Sequence, residues 1–149
     1  MTETGITLRA PQPADRARWE ELWHGYLRFY RAKLGPEVTD ATWRRLLDAH
    51  EQPHGLLAVS GGRIVGFVHY LFHRASWSIG DYCYLEDLFV AEDARGLGCG
   101  RALIEAVYKA ADAAGASSVY WLTQEYNADA RALYDTLAKR TSFIKYVRE

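Results

Sequence analysis

The stretch LEDLFVAEDARGLGCGRALIEAVYKAADAA, residues 85–114, decides the fold. Residues 85–90 are apolar and β-prone apart from Glu86 and Asp87, and read as a buried strand. Leu103, Ala106, Val107, Ala110 and Ala114 recur at i, i+3, i+4, i+7 and i+11, one stripe of an amphipathic helix. Between strand and helix lies Arg95-Gly96-Leu97-Gly98-Cys99-Gly100-Arg101. Alternating glycines let a backbone turn sharply and approach a ligand with no Cβ in the way. The helix aims its first free N–H groups, and the positive end of its dipole, back into that turn. With Arg95 and Arg101 on either side, the turn is a place to hold phosphate.

Two familiar phosphate loops are excluded. A dinucleotide fingerprint, G-x-G-x-x-G, needs glycine where Leu103 stands, and a P-loop needs G-K-[ST] where Gly100 is followed by Arg101-Ala102. What remains is R-x-x-G-x-G, carried by Arg95, Gly98 and Gly100 on a strand–turn–helix. Downstream, Val119-Tyr120-Trp121-Leu122-Thr123 reads as a strand, and Asn127-Ala128-Asp129-Ala130-Arg131-Ala132-Leu133-Tyr134 as the start of a helix that Asn127 can cap.

The first pattern resembles motif A of the GCN5-related N-acetyltransferases (GNAT). The second resembles motif B, N-x-x-A-x-x-[LF]-Y, which Asn127, Ala130, Leu133 and Tyr134 match position by position. The resemblance runs from about residue 56 to the end. LEDLFV together with VYWLTQEYN is most similar to the branch of Hpa2-type and spermidine/spermine acetyltransferases. One departure stands out: family members commonly carry Gly-Phe after the motif B helix, whereas Lys139-Arg140-Thr141-Ser142-Phe143 lacks that glycine.

The elements fit that frame. Residues 6–10 suit a first strand, ended by Pro11 and Pro13. A helix from Asp15 carries Trp19, Leu22, Trp23, Tyr26, Phe29 and Tyr30 at helical spacing. A second, capped by Thr39 or Asp40, carries Trp43, Leu46, Leu47 and His50. Residues 56–59 and 64–72 form a hairpin through Gly61-Gly62. Strands follow at 82–90, 118–123 and 142–147. A hairpin combined with a βαβ unit gives a mixed sheet and an α+β (mixed α/β) class. The resemblance implies a largely antiparallel, twisted GNAT sheet of about six strands flanked by four helices, one domain over residues 1–149.

It also implies roles. Backbone N–H groups of Arg95, Gly96, Leu97, Gly98, Cys99, Gly100 and Arg101 meet the diphosphate of acetyl-CoA. The backbone of Leu88, Phe89 and Val90 pairs with the pantetheine arm, and Asn127 contacts it. Tyr134 protonates the departing thiolate, against the plain alternative of a core tyrosine. The first acid of the E-D pair, Glu86, matches the branch's base, with Asp87 in reserve. Strict strand alternation sends these two to opposite faces. Tyr26 and Tyr30, one helical turn apart, with Glu86, Asp87 and Glu125, suit a cationic amine. Cys99 either has its pKa lowered by the helix N-terminus or is merely small enough for the turn. His69 and His73 lack metal-ligand spacing, so no metal is expected.

Composition narrows the classes. A net charge of −1 leaves no basic footprint for nucleic acid. Cys83 and Cys99 have no disulfide-framework spacing, which fits a reducing cytoplasm. The opening MTETGITLRAPQPAD has no leader's apolar run, and no later run has the ~18 apolar residues of a membrane span. The expectation is an N-acetyltransferase acting on a small-molecule amine or a lysine-containing peptide, in a branch whose members often pair as homodimers. The alternatives are a non-catalytic CoA-binding module and a nucleotide-binding regulatory domain.

Overall fold

The computed structural model describes residues 5–149; the first four, part of the opening stretch read as leaderless, lie outside the described residues. The elements are β1 (Ile6–Arg9), α1 (Arg16–Phe29), α2 (Pro36–Leu46), β2 (His54–Ser60), β3 (Arg63–His73), β4 (Tyr82–Val90), α3 (Cys99–Ala113), β5 (Ser118–Tyr120) and α4 (Ala128–Leu137). The strands form one sheet in the order β1-β2-β3-β4-β5, antiparallel throughout except for the parallel β4–β5 pair. The mixed class holds.

The expected last strand does not. Residues 142–147 form no strand, and Phe143, Ile144, Tyr146 and Val147 are exposed. Apolar, β-prone residues make a strand only beside an edge that takes their hydrogen bonds, and none of the five strands does so. The sheet therefore has five strands rather than about six.

Aromatic packing fixes the first layer. Trp19, Leu22, Trp23 and Leu27 are the buried face of α1. Trp19 stacks on Trp23 with centroids 5.6 Å apart and lies 4.9 Å from Trp43 of α2. Neither Thr39 nor Asp40 caps α2: the helix begins earlier, with Pro36 following the extended Gly35. Thr39 is buried inside it and accepts the Trp23 indole N–H at 3.2 Å, while Asp40 pairs with Arg16 at 2.6 Å. On the other side of the sheet α3 buries Cys99, Leu103, Ile104, Val107 and Ala111. That stripe is rotated from the expected one: Ile104 belongs to it and the exposed Ala114 does not.

One irregularity matters for the site. His69 pairs with Asp87, but the next residue of β3, Tyr70, pairs with Leu85. Glu86 is the extra residue of a β-bulge, a device that re-aims side chains.

Candidate active site

β4 pairs with β3 along its length but with β5 only at Tyr82, Cys83 and Tyr84. Past the Tyr84–Tyr120 pair β5 has ended, so the β4 edge away from β3 carries no neighbouring strand over residues 85–90. Leu88, Phe89 and Val90 sit on that edge with their side chains packed against the core. Arg95 closes its end: Nε donates to the Val90 carbonyl at 3.2 Å, and the guanidinium lies 5.7 Å over the Phe89 ring.

The turn follows directly. Gly96 and Gly98 both hold φ near +83°, which favours glycine, and Gly98 immediately precedes α3. No side chain caps this helix, so the N–H groups of Cys99, Gly100 and Arg101 have no partner within it. A Cβ on Gly100 would stand 3.2 Å from Leu133 Cδ2, so this glycine lets α4 come close to α3. Leu97 is half exposed at the turn's crest, and Arg101 reaches across to Thr136 Oγ1 at 2.8 Å. Cys99 is buried, and burial pushes its thiol up to about 11. Of the two readings of Cys99, the fit to a tight turn is the one the structure supports.

The carboxylates differ from the expectation. Asp87 is engaged at both oxygens: the Tyr26 hydroxyl donates to Oδ1 at 2.6 Å and His69 Nδ1 lies 3.0 Å from Oδ2. Glu86, released from strict alternation by the bulge, is not set apart on the opposite face. Burial and then the Asp87 charge hold its carboxyl above the usual range. Glu86 is itself partly open to solvent, and among the described residues its carboxylate has no hydrogen bond or ion pair.

Tyr134 of α4 packs against Trp121, and burial, followed by the nearby Tyr30 hydroxyl, pushes its own hydroxyl up to about 12. Tyr30 stands edge-on to Tyr26 with centroids 5.0 Å apart, and its hydroxyl feels Thr123, Asp87 and Tyr126. Asn127 does not cap α4 with its side chain. Its Nδ2 donates to Thr123 Oγ1 at 3.2 Å instead. Glu125 is exposed at the loop and lies 3.7 Å from Arg140, so it stays at the rim. The fold thus gathers Tyr26, Tyr30, Glu86, Asp87 and Tyr134 at one end of the open β4 edge. The turn is at the other.

Sequence reasoning missed His69, Trp19, Tyr84 and Thr123. The first is fully buried and accepts the Trp19 indole N–H at Nε2, 3.2 Å away. The signal was one polar residue inside the apolar run Ile64-Val65-Gly66-Phe67-Val68-His69-Tyr70-Leu71-Phe72. Tyr84 stacks on Tyr120 with centroids 4.9 Å apart, and burial, then Glu86 and Asp87, raise its pKa. Among the described residues no cluster of His, Cys, Asp and Glu could hold a metal ion.

Residues 19–138 match the model of the Acetyltransferase (GNAT) family. The chain belongs to that family. This GNAT chain is 39% identical over 150 residues to the D-amino-acid N-acetyltransferase HPA3 of Saccharomyces cerevisiae, spanning 99% of this chain and 93% of that protein. It is 30% identical over 84 residues to the thialysine N-epsilon-acetyltransferase of Caenorhabditis elegans, covering 56% of this chain and 52% of that one. The solved ribosomal-protein-alanine N-acetyltransferase from Brucella melitensis biovar Abortus 2308 superposes with a TM-score of 0.81. That match covers 97% of this chain and 99% of the other at 22% identity, a likeness of fold. The chain is an acetyltransferase, and among the described residues no helix is long and apolar enough to cross a membrane.

Proposed function

We propose that this acetyltransferase moves an acetyl group from acetyl-CoA to a primary amine by direct attack in a ternary complex. One observation carries the reading: the β4 backbone lies open from the bulge at Glu86 to the glycine turn, where a helix presents uncapped N–H groups. The donor set fits the cofactor. Backbone N–H groups from Gly96, Leu97, Gly98, Cys99, Gly100 and Arg101 suit a diphosphate, each bond to a charged partner being worth ~1.5–3 kcal/mol. The free edge at Leu88, Phe89 and Val90 suits an arm bearing two amides, and Asn127, bonded to Thr123, would contact that arm. Acetyl-CoA, when bound, supplies the acetyl group as a thioester.

The protein's own groups handle the protons. An alkylammonium with pKa ~10.4 needs ~4–5 kcal/mol to lose its proton at pH 7, so the acceptor needs a base. Glu86 fits that role better than Asp87: its carboxyl is unengaged and its proton affinity is raised, whereas both Asp87 oxygens already have partners. Glu86 takes the ammonium proton and frees the lone pair. The new N–C bond forms as the C–S bond breaks, and the Tyr134 hydroxyl gives its proton to the departing sulfur. The second proton, shed from the now cationic nitrogen, restores the Tyr134 hydroxyl. Tyr26, Tyr30 and Asp87 line the acceptor side, where aromatic faces and negative charge favour a cation.

Acceptors are free amino acids, polyamines or lysine side chains. The D-amino-acid and thialysine activities in the names of the two relatives support small amines. Two buried free thiols fit a reducing cytoplasm, and the exposed apolar residues near the C-terminus fit a homodimer. Thiol release from acetyl-CoA across an amine panel tests the function. Turnover on at least one primary amine is expected, and tight acetyl-CoA binding with no turnover on any would overturn it.

A further inference from the structure

Beyond the reacting groups lies a chain of buried polar atoms that the chemistry above does not use. The Trp19 indole N–H can only donate, so His69 Nε2, 3.2 Å away, must accept and carries no proton. The ring proton therefore sits on Nδ1 and points at Asp87 Oδ2, 3.0 Å away. Asp87 Oδ1 takes the Tyr26 hydroxyl at 2.6 Å. Both ends of this chain, Trp19 and Tyr26, come from α1, two turns apart, while β3 and β4 supply its middle. Trp19 is wholly buried and His69 almost so, which makes each bond costly to lose. The His69–Asp87 pair also stands at the register step that creates the bulge, next to Glu86.

We propose that His69 is a positioning residue for acetyl transfer: held as the Nδ1–H tautomer by the Trp19 indole, it pins the Asp87 carboxylate beside the bulge and so fixes the negative charge that Glu86 faces. This rests on the reading of Glu86 as the base. The groups around the pair are Trp19, Trp23 and Tyr26 of α1, Tyr30 just past its end, Phe67 of β3, and Tyr84 and Glu86 of β4. None of these neighbours is cationic, and with Nε2 bare the His69 ring is itself neutral. Among the described residues, the charges that face His69 are the two carboxylates. A donor aimed at Asp87 fixes where its carboxylate lies, and a carboxylate held beside the bulge makes Glu86 hold a proton more tightly.

The test compares His69→Leu, His69→Asn and Trp19→Phe with the native chain, in kcat/KM for the amine as a function of pH. Leucine removes the donor, and asparagine restores an N–H near the position of Nδ1. In His69→Leu we expect kcat to fall roughly 10–100-fold, the range seen when an outer partner of a functional group is lost, with the KM for acetyl-CoA unchanged. The acidic limb moves to lower pH as the unpinned Asp87 carboxylate swings away from Glu86. His69→Asn brings the limb back toward the native position. Nitrogen-15 spectra of the native protein show Nδ1 protonated and Nε2 bare, and Trp19→Phe loses that single-tautomer signature.

Native spectra with the proton on Nε2 would overturn the inference even if His69→Leu failed to fold. So would an acidic limb in His69→Leu or Trp19→Phe that stays at the native pH. If Glu86→Gln keeps the native limb, the base assignment fails instead, whatever the His69 variants do.

Discussion

The ring of Tyr134 stands edge-on to Trp121, centroids 5.4 Å apart and planes inclined by 67°. Packing of this kind fixes the direction of the hydroxyl as well as the ring, which matters if the hydroxyl delivers a proton. Tyr134→Phe keeps the ring and loses only the oxygen. We expect its thermal midpoint and acetyl-CoA affinity to match the native values while kcat falls ~10²–10⁴-fold, the usual worth of a general acid. Because burial holds the phenol near 12, its ionisation contributes no basic limb at pH 6–9. Calorimetry with acetyl-CoA beside steady-state kinetics decides it; unchanged turnover reduces Tyr134 to packing.

Glu86 links rate and stability through one ionisation. Its carboxyl is harder to ionise folded than unfolded, because burial and Asp87 both disfavour the charge. By linkage the native state is therefore relatively more stable below the unfolded pKa of ~4.3 and loses that advantage as pH rises through the folded pKa. Glu86→Gln removes the titration. We expect the variant to unfold at a higher urea concentration than native at pH 7–8, and the gap to close by about pH 4. In kinetics its kcat/KM loses the acidic limb. A urea midpoint that shifts equally at all pH values would separate Glu86 from this account.

The thiols offer a check that needs no substrate. Burial raises Cys83 and Cys99 alike to about 11, and both lie in the core. At pH 8 a group with such a pKa is ~0.1% thiolate, against roughly a quarter for an ordinary cysteine, and thiolate is the reactive form. Iodoacetamide should leave the native protein unlabelled on the time scale that saturates the unfolded one. Rapid labelling of Cys99 would mean that its helix end opens.

How far the sequence reaches follows from which forces are local. The β4–turn–α3 unit was legible because its glycines and its apolar spacing are consequences of short-range geometry. The hairpin at Gly61 and Gly62 was legible for the same reason. Residues 142–147 were misread because strand propensity says nothing of whether an edge is available. The bulge at Glu86 was invisible because an inserted residue is defined by its partner strand, here His69 and Tyr70, far away in the chain. Motif B pointed to Tyr134 and Asn127, but the polar chain from Trp19 to Asp87 is tertiary throughout. The Asn127–Thr123 bond that takes the place of the cap is local, only four residues apart, but helix-capping preference alone pointed the side chain forward into α4 instead.

Gly66 tests how tightly the sheet is coupled to the glycine turn. It pairs with Val90 at the end of β4, and a Cβ there would stand 2.9 Å from the Phe89 carbonyl oxygen and 3.1 Å from Cys99 Sγ. The oxygen is backbone and cannot swing aside, so strand and helix must separate. Overpacking of this kind costs ~1–3 kcal/mol, and each kcal/mol lowers Tm by ~2–4 °C in a chain of this size. The displaced atoms are those that set β4's open edge against the first turn of α3. Gly66→Ala should therefore also raise the KM for acetyl-CoA, with a smaller effect on kcat. Adding Cys99→Ala removes the sulfur contact but leaves the carbonyl, so the double variant regains part of the lost stability, and the two changes are non-additive. Strict additivity, measured by urea unfolding of all four members of the cycle, would show that Gly66 and Cys99 do not share this contact.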